Sequence, residues 1–175
     1  MGTPVVVLDI GASKIHCMVG EAVDDLGLKI LGMGLSPCDG IRRNVVIDMP
    51  KMVEAIRSSV QEAERSAGLK IAGAYVGVAG EGVATHTSRS TVAISGSSNP
   101  IDENDVHRAL VAAEEASFPG NTTVLHRFVQ RYAVDGEPVQ NPLWLHGSRL
   151  EVETLSTTAP SHVCTTLRRA VSQVG

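Results

Sequence analysis

The chain has 175 residues, a length that can bury one hydrophobic core or two small ones. Hydrophobic residues make up 43% of it and aromatic residues only 3%, so Val, Ile, Leu and Ala must form the core, which favours a sheet covered by Ala-rich helices. The net charge is −4 and no long run of Lys or Arg occurs. The sequence therefore lacks the basic patch that nucleic-acid binding needs, and we expect no nucleic-acid partner.

Cysteine and histidine are scattered along the chain. Cys17, Cys38 and Cys164 form no C-x-x-C pair, which predicts neither a disulfide framework nor a zinc site and favours a reduced, cytoplasmic protein. The six histidines, including His16, lack the spacing of metal ligands and are interpreted as bystanders. We find no signal peptide and no run approaching the roughly 20 apolar residues of a membrane span, so these residues are not expected to anchor the protein in a membrane.

The first half of the chain predicts a meander followed by a crossover. The apolar runs Val5–Ile10, Ile15–Gly20 and Leu28–Leu35 predict three strands in series. A helix is expected at about 49–67, and Ile71–Ala79 predicts a buried strand after it. The order strand, helix, strand implies a parallel crossover onto the sheet.

The predicted helix has clear ends and one apolar stripe. Asp48 is a good N-cap and Gly68 stands where a C-terminal cap belongs. Its stripe recurs at helical spacing and consists of Met52, Ile56, Val60 (or Ser59), Ala63 and Ala67.

The second half predicts a strand–helix–strand–strand module. Its strands are expected at Arg89–Ser95, Thr123–Asp135 and Leu150–Ser156, and its helix follows a cap at Asp102. A final helix opens at Pro160–Ser161 with no strand after it, so the chain is expected to be cut.

The predicted strand Thr123–Asp135 alternates in polarity. One face is expected to carry Val124, Phe128, Tyr132 and Val134, and the opposite face Arg127 and Arg131.

The segment Asp9 to Lys14 carries the chemistry that the sequence offers. Gly11 is expected to adopt backbone dihedrals closed to other residues, so that successive N–H groups of the loop converge on an anion. Ser13 adds a hydroxyl donor and Lys14 a positive charge for a phosphate, while Asp9 is suited to hold the waters of a Mg²⁺ ion. Taken alone, the motif is more typical of an ordinary hairpin turn. Its position in the first hairpin of a meander, before a helix and a strand, favours phosphate binding.

Several segments, in order, resemble the FtsA family of bacterial cell-division proteins. Val7–Ile15 looks like the family's first phosphate loop. The other matching segments are Leu31–Gly34 and Gly40–Asp48 before the first helix, Tyr75–Gly80 before the inserted subdomain, and Asp102–Val106, Val124–Asp135 and the Asn141–Pro142 loop within that insert.

The resemblance implies an α/β fold. Residues 1–80 and 159–175 would form an actin-like (ribonuclease H-like) subdomain 1A, incomplete at its C-terminus, and residues 81–158 an inserted SHS2-like strand–helix–strand–strand subdomain 1C. It also implies ATP and Mg²⁺ as ligands, with Asp9, Gly11, Ala12, Ser13 and Lys14 binding the nucleotide.

The resemblance further implies partners and a place in the cell. Family members tether the FtsZ ring to the inner face of the membrane at the division septum, recruit later division proteins and self-associate into filaments. Membrane attachment is through a C-terminal amphipathic helix that these residues lack. No catalytic residue is expected; the full-length protein is at most a slow ATPase, and this chain alone is expected to be inactive and to bind ATP weakly or not at all.

Trp144 departs from the family pattern because a small residue is usual in that loop. An exposed Trp would mark a contact surface, but packing over its own loop is the favoured interpretation. Two alternatives to the cell-division function stay open. One is a PilM-like scaffold of pilus assembly, and the other is the front half of a sugar or acetate kinase.

Overall fold

The computed structural model describes residues 3–23, 27–43, 45–94, 100–115, 118 and 120–175. The chain divides into two compact units, of which the first comprises residues 1–81 and 163–175 and the second residues 82–162. Each unit has its own hydrophobic core. The described elements, in chain order, are β1 (Pro4–Ile10), β2 (Lys14–Val23), β3 (Gly27–Pro37), β4 (Ile41–Arg42), β5 (Val45–Val46), α1 (Met49–Ala67), β6 (Tyr75–Val76), β7 (Ala84–Ala93), α2 (Glu103–Glu115), β8 (Thr122–Val134), β9 (Glu137–Val139), β10 (Arg149–Pro160) and α3 (Ser161–Ser172).

The first unit is built on a mixed four-stranded sheet with the order β3-β2-β1-β6. β1, β2 and β3 pair antiparallel, which confirms the predicted meander. β6 pairs parallel with β1 after the helix, which confirms the predicted crossover. The α/β class is therefore correct for this unit.

Helix α1 has the ends that the sequence predicts. The Asp48 carboxylate accepts a hydrogen bond from the backbone N–H of Lys51 at 3.1 Å, satisfying one of the free donors of the first turn. Gly68 has a φ of 70°, and its N–H donates to the Glu64 carbonyl. Met52 and Ile56 of the predicted stripe are fully buried in the core of the unit.

The strand predicted at Ile71–Ala79 is wrong in extent. Only β6 (Tyr75–Val76) pairs, and Tyr75 is 74% exposed rather than buried. The reason lies at the start of the segment, where the backbone N–H of Ile71 donates to the Glu64 carboxylate at 2.9 Å instead of joining a ladder. One further backbone bond, from Gly77 N to Leu8 O at 3.1 Å, extends the parallel pair.

The second unit contains a four-stranded antiparallel sheet with the order β7-β10-β8-β9, and α2 packs on one of its faces. Asp102 caps α2 as predicted, with its carboxylate accepting from Asp105 N at 2.9 Å. β9 was not predicted. Asp135 and Gly136 have φ values of 52° and 92°, the positive pair of a type I′ hairpin turn, and Asp-Gly is a strong sequence signal for that turn. Ser95 lies outside the described residues.

The predicted faces of β8 are wrong for two residues, Phe128 and Arg127, and the other residues lie on the faces predicted for them. Its pairing with β10 contains two register shifts, where β8 carries an extra residue at Gln130 and another at Leu125. Each bulge shifts the alternation by one residue, because side chains alternate strictly along a strand. Phe128 therefore pairs with Leu155 on the open face and is 56% exposed. Arg127 lies on the helix-covered face, where it forms an ion pair with Glu114 of α2.

Candidate functional site

The hairpin between β1 and β2 is a tight, tied loop. β1 ends at Ile10 and β2 begins at Lys14, leaving three residues between them. Gly11 N donates to Lys14 O at 3.1 Å, which closes the loop. Cys38 N, just beyond β3, donates to Ser13 O at 2.9 Å. These two bonds hold the hairpin from inside and from the neighbouring strand.

Gly11 is needed for a different reason from the one predicted. Its φ does not lie in the left-handed region, so the expectation of unusual dihedrals is wrong. A Cβ built at Gly11 would instead lie 2.8 Å from the Lys14 carbonyl oxygen. Such a contact is too close for a real side chain, so the closeness of the turn itself excludes other residues.

Two charged side chains of the hairpin project from the same face of the sheet. Because Leu8 is buried against the helix, its neighbour Asp9 points to the opposite, open face. Ile15 is buried in the same way, so Lys14 also lies on the open face. Asp9 and Lys14 are thus brought together at one end of the sheet.

The polar groups of the loop are available to a ligand. Ala12, Ser13 and Lys14 are exposed. Among the described residues, the N–H groups of Ala12 and Ser13 donate to no backbone acceptor, and the side chains of Asp9 and Lys14 form no ion pair. N–H groups, a hydroxyl and an ammonium are donors of the kind that bind a phosphate.

The parallel pair of β1 and β6 places a second segment beside Asp9. Both strands end at the same edge of the sheet, the edge at which open α/β sheets bind ligands. A Cβ at Gly77 would lie 3.9 Å from the Asp9 carboxylate, so the absence of a side chain at Gly77 leaves space next to that carboxylate. The sequence pattern did not single out Gly77 as part of the site, although Gly77 lies within the strand predicted at Ile71–Ala79 and immediately follows β6.

His16, which the sequence pattern indicated to be a bystander, lies next to the hairpin. It is the direct cross-strand partner of Asp9, and its Nε2 atom is buried without a hydrogen-bond partner among the described residues. Its position two residues after Lys14 on the same strand could have revealed that it shares the open face, since side chains alternate.

The site suits Mg²⁺ as a companion of a bound phosphate rather than as a resident metal. Among the described ranges, no group of three or more His, Cys, Asp or Glu residues could hold a metal ion. Mg²⁺ usually keeps several waters and binds through one or two carboxylates plus the phosphates of its substrate. One exposed, unpaired carboxylate at Asp9 fits that donor set.

Cys17 lies next to His16 on β2 but faces the core. Burial, together with the nearby Glu64 carboxylate, raises the pKa of the Cys17 thiol. The thiol is therefore kept protonated and is a packing residue, not a nucleophile.

Trp144 is displayed to solvent, so the expectation that it packs over its own loop is wrong. Its side chain is 77% exposed, and its φ is 69°, an uncommon value for a bulky residue. The backbone is fixed by two hydrogen bonds, from Trp144 N to Ile101 O at 2.9 Å and from Ile101 N to Leu145 O at 2.8 Å. Trp144 belongs to the second unit and not to the hairpin of the first.

None of the helices in the part of the chain that the structure describes is long and apolar enough to cross a membrane.

The chain is similar in sequence to known cell-division proteins. A family model described as the SHS2 domain inserted in FtsA matches residues 80–158. The chain is 33% identical to the cell division protein FtsA of Pseudomonas aeruginosa over 99% of this chain and 42% of that protein. It is 35% identical to the cell division protein FtsA of Borreliella burgdorferi (98% and 42%) and 33% identical to that of Bacillus subtilis (97% and 39%). The chain thus spans about two fifths of the length of these curated relatives.

Proposed function

Because this chain belongs to the FtsA family, we propose that it acts in bacterial cell division as part of an ATP-binding actin homologue. The whole protein would tether the FtsZ ring to the inner face of the membrane at the septum. It would also recruit later division proteins and assemble into filaments. Sequence identities of 33% and 35% to two FtsA proteins, over nearly the whole chain, support this proposal.

The two units suit the two subdomains that the proposal needs. We assign the first unit to the actin-like, ribonuclease H-like subdomain 1A. Its antiparallel meander, crossover helix and parallel fourth strand support this assignment. We assign the second unit to the inserted subdomain 1C, and the match of the SHS2 family model to residues 80–158 supports that assignment.

The hairpin at Asp9–Lys14 is the main support for the nucleotide-binding part of the proposal. In our proposal, the free N–H groups of Ala12 and Ser13 and the hydroxyl of Ser13 donate to phosphate oxygens. Lys14 neutralises phosphate charge, and Gly11 permits the tight turn that positions these donors. Asp9 holds the waters of the Mg²⁺ ion that accompanies ATP.

The ligand serves assembly more than turnover in this proposal. We assign no catalytic residue, and hydrolysis by the full-length protein would be slow. Since the 175 residues hold one phosphate loop, the chain alone should bind ATP weakly or not at all. Calorimetry on residues 1–175 tests this expectation, and tight binding would contradict it.

The direct test is ATP affinity in the full-length gene product. Lys14→Ala should weaken binding about 10- to 100-fold, because a hydrogen bond to a charged group is worth roughly 1.5–3 kcal/mol. Asp9→Ala should weaken binding only when Mg²⁺ is present. Lys29→Ala is the matched control, since Lys29 is an exposed lysine of the same sheet that pairs with Glu21. Equal ATP affinities of the Lys14→Ala and Lys29→Ala variants would show that the hairpin is not part of the ATP site.

The alternatives predict different partners. A sugar or acetate kinase would phosphorylate a small substrate, and a PilM-like scaffold would capture pilus-assembly components. No specific observation supports either alternative. Affinity capture with the full-length protein should recover FtsZ, and recovery of pilus components in its place would overturn the cell-division proposal.

A further inference from the structure

We propose that His16 is a further phosphate-binding residue of the hairpin, donating a hydrogen bond from Nε2 to a phosphate oxygen of the bound nucleotide. This inference rests on the nucleotide-binding function proposed above and adds one side chain to it.

The position of His16 is the first observation behind the proposal. His16 is paired directly with Asp9 of β1, and Lys14 precedes it by two residues on the same side of β2. Directly opposed residues in an antiparallel pair have Cβ atoms about 4.5–5.5 Å apart. The imidazole therefore lies beside the place of a ligand that Asp9 and Lys14 would hold, and because Nε2 is shielded from solvent, the proposed contact requires the ring to turn toward that ligand.

The unsatisfied nitrogen is the second observation. His16 Nε2 is buried and has no hydrogen-bond partner among the described residues. On the other neighbouring strand, β3, the residue paired with His16 is Leu35, which offers no polar side-chain atom. Buried polar side-chain atoms usually have a partner, because an unmade hydrogen bond is unfavourable. A phosphate oxygen at the hairpin would supply the acceptor that the described residues do not.

The chemistry of the neighbours favours a phosphate over other acceptors. The free donors of Ala12, Ser13 and Lys14 already suit an anion at this end of the sheet. An imidazole N–H adds one more donor on the same face. Hydrogen bonds to an ionised acceptor are shorter and stronger than neutral ones, so a single such contact changes affinity measurably.

The test separates a ligand contact from a packing role by measuring two quantities on the full-length gene product. For His16→Leu, the Kd for ATP should rise about ten-fold. The Tm without nucleotide should stay unchanged or rise by about 2–4 °C, because leucine replaces an unsatisfied buried nitrogen. His16→Gln keeps an N–H donor and should recover part of the affinity. His16→Met repeats the test with a more adaptable apolar side chain if leucine does not fit.

Met18→Leu is the matched control, because Met18 lies two residues further along the same strand on the same face. It should change neither quantity. An unchanged Kd in His16→Leu and His16→Met, with Lys14→Ala still weakening ATP, would overturn the contact and leave the proposed function standing. Failure of the wild-type protein to bind ATP, or an unaffected Lys14→Ala, would instead overturn the proposed function.

Discussion

The two units have similar sheets, but the open faces of these sheets differ in chemical character. Each contains a four-stranded sheet with a helix of its own unit packed on one face. On the second unit's open face, the Arg89 guanidinium lies 3.0 Å from the Glu153 carboxylate and that of Arg149 lies 3.2 Å from Glu151. Away from Asp9 and Lys14, the first unit's open face carries large exposed apolar side chains, which include Val5, Val7, Ile30, Met33 and Leu35.

This difference shows where each unit obtains its stability. The charged face of the second unit is well solvated and costs little in water. The apolar face of the first unit leaves hydrophobic area exposed, and buried area of that kind is worth about 25 cal/mol per Å². The first unit therefore depends on its one covered face, where α1 lies unusually close to the sheet.

The largest effect is expected from breaking that close packing with Gly34→Ala. A Cβ at Gly34 would lie 1.9 Å from the backbone oxygen of Ser59 and 2.7 Å from the backbone nitrogen of Ala63, so α1 would have to move. We expect a loss of about 3 kcal/mol or more in the free energy of unfolding, measured by urea denaturation followed by circular dichroism. Gly73→Ala is the control, because nothing lies within 4 Å of a Cβ there. Equal losses in the two variants would show that close packing of α1 is not what stabilises the first unit.

The second expected effect concerns the two faces of the second unit. Leu150 is fully buried under α2, so Leu150→Ala should cost about 3 kcal/mol of unfolding free energy. Phe128 lies on the open face, so Phe128→Ala should cost less than about 1 kcal/mol. Urea denaturation of both variants checks this. If Phe128→Ala cost as much as Leu150→Ala, the simple alternation predicted from the sequence would be right and the bulged register wrong.

Local signals explain what the sequence could predict. The ends of α1 follow from the cap at Asp48 and the left-handed Gly68, both of which depend on neighbouring backbone alone. The meander and its hairpin follow from apolar runs separated by a turn. The Asp135–Gly136 turn is an equally local signal, and β9 could have been predicted from it.

What the sequence could not predict depends on distant partners. Gln130 and Leu125 are bulged only with respect to the pairing of β8 with β10. The local sequence of β8 does not contain that pairing. β6 is short because the Glu64 side chain takes the Ile71 N–H. In the candidate site, the loop residues were visible as a motif, whereas the pairing of His16 with Asp9 needed the register.

The third prediction concerns buried hydroxyl groups on the covered face of the second unit's sheet. Thr154 is fully buried and its hydroxyl has no partner among the described residues. Thr154→Val should therefore raise the free energy of unfolding by about 1 kcal/mol. Thr158 is the matched control on the same strand and face, because its hydroxyl lies 3.2 Å from His86 Nε2 and 3.4 Å from the Ala84 carbonyl oxygen. Thr158→Val should destabilise by about the same amount in urea denaturation, and the same sign for both would contradict the assignment.

The smallest effect concerns the link between α1 and β6 in the first unit. The hydrogen bond from Ile71 N, followed by that from the Lys70 ammonium, lowers the pKa of the Glu64 carboxyl below its ordinary 4.5. A lowered pKa means that the native state favours the carboxylate. Its stabilisation is therefore present above the unfolded pKa and is lost as pH falls through the lowered native value. The Ile71 amide proton shift should titrate with a midpoint below 4.5, and Glu64→Gln should abolish that titration while keeping an acceptor for Ile71 N. Glu54→Gln, an exposed change on the same helix, should leave the titration intact. A midpoint at or above 4.5 would mean that Glu64 does not hold this link, and the shortness of β6 would need another cause.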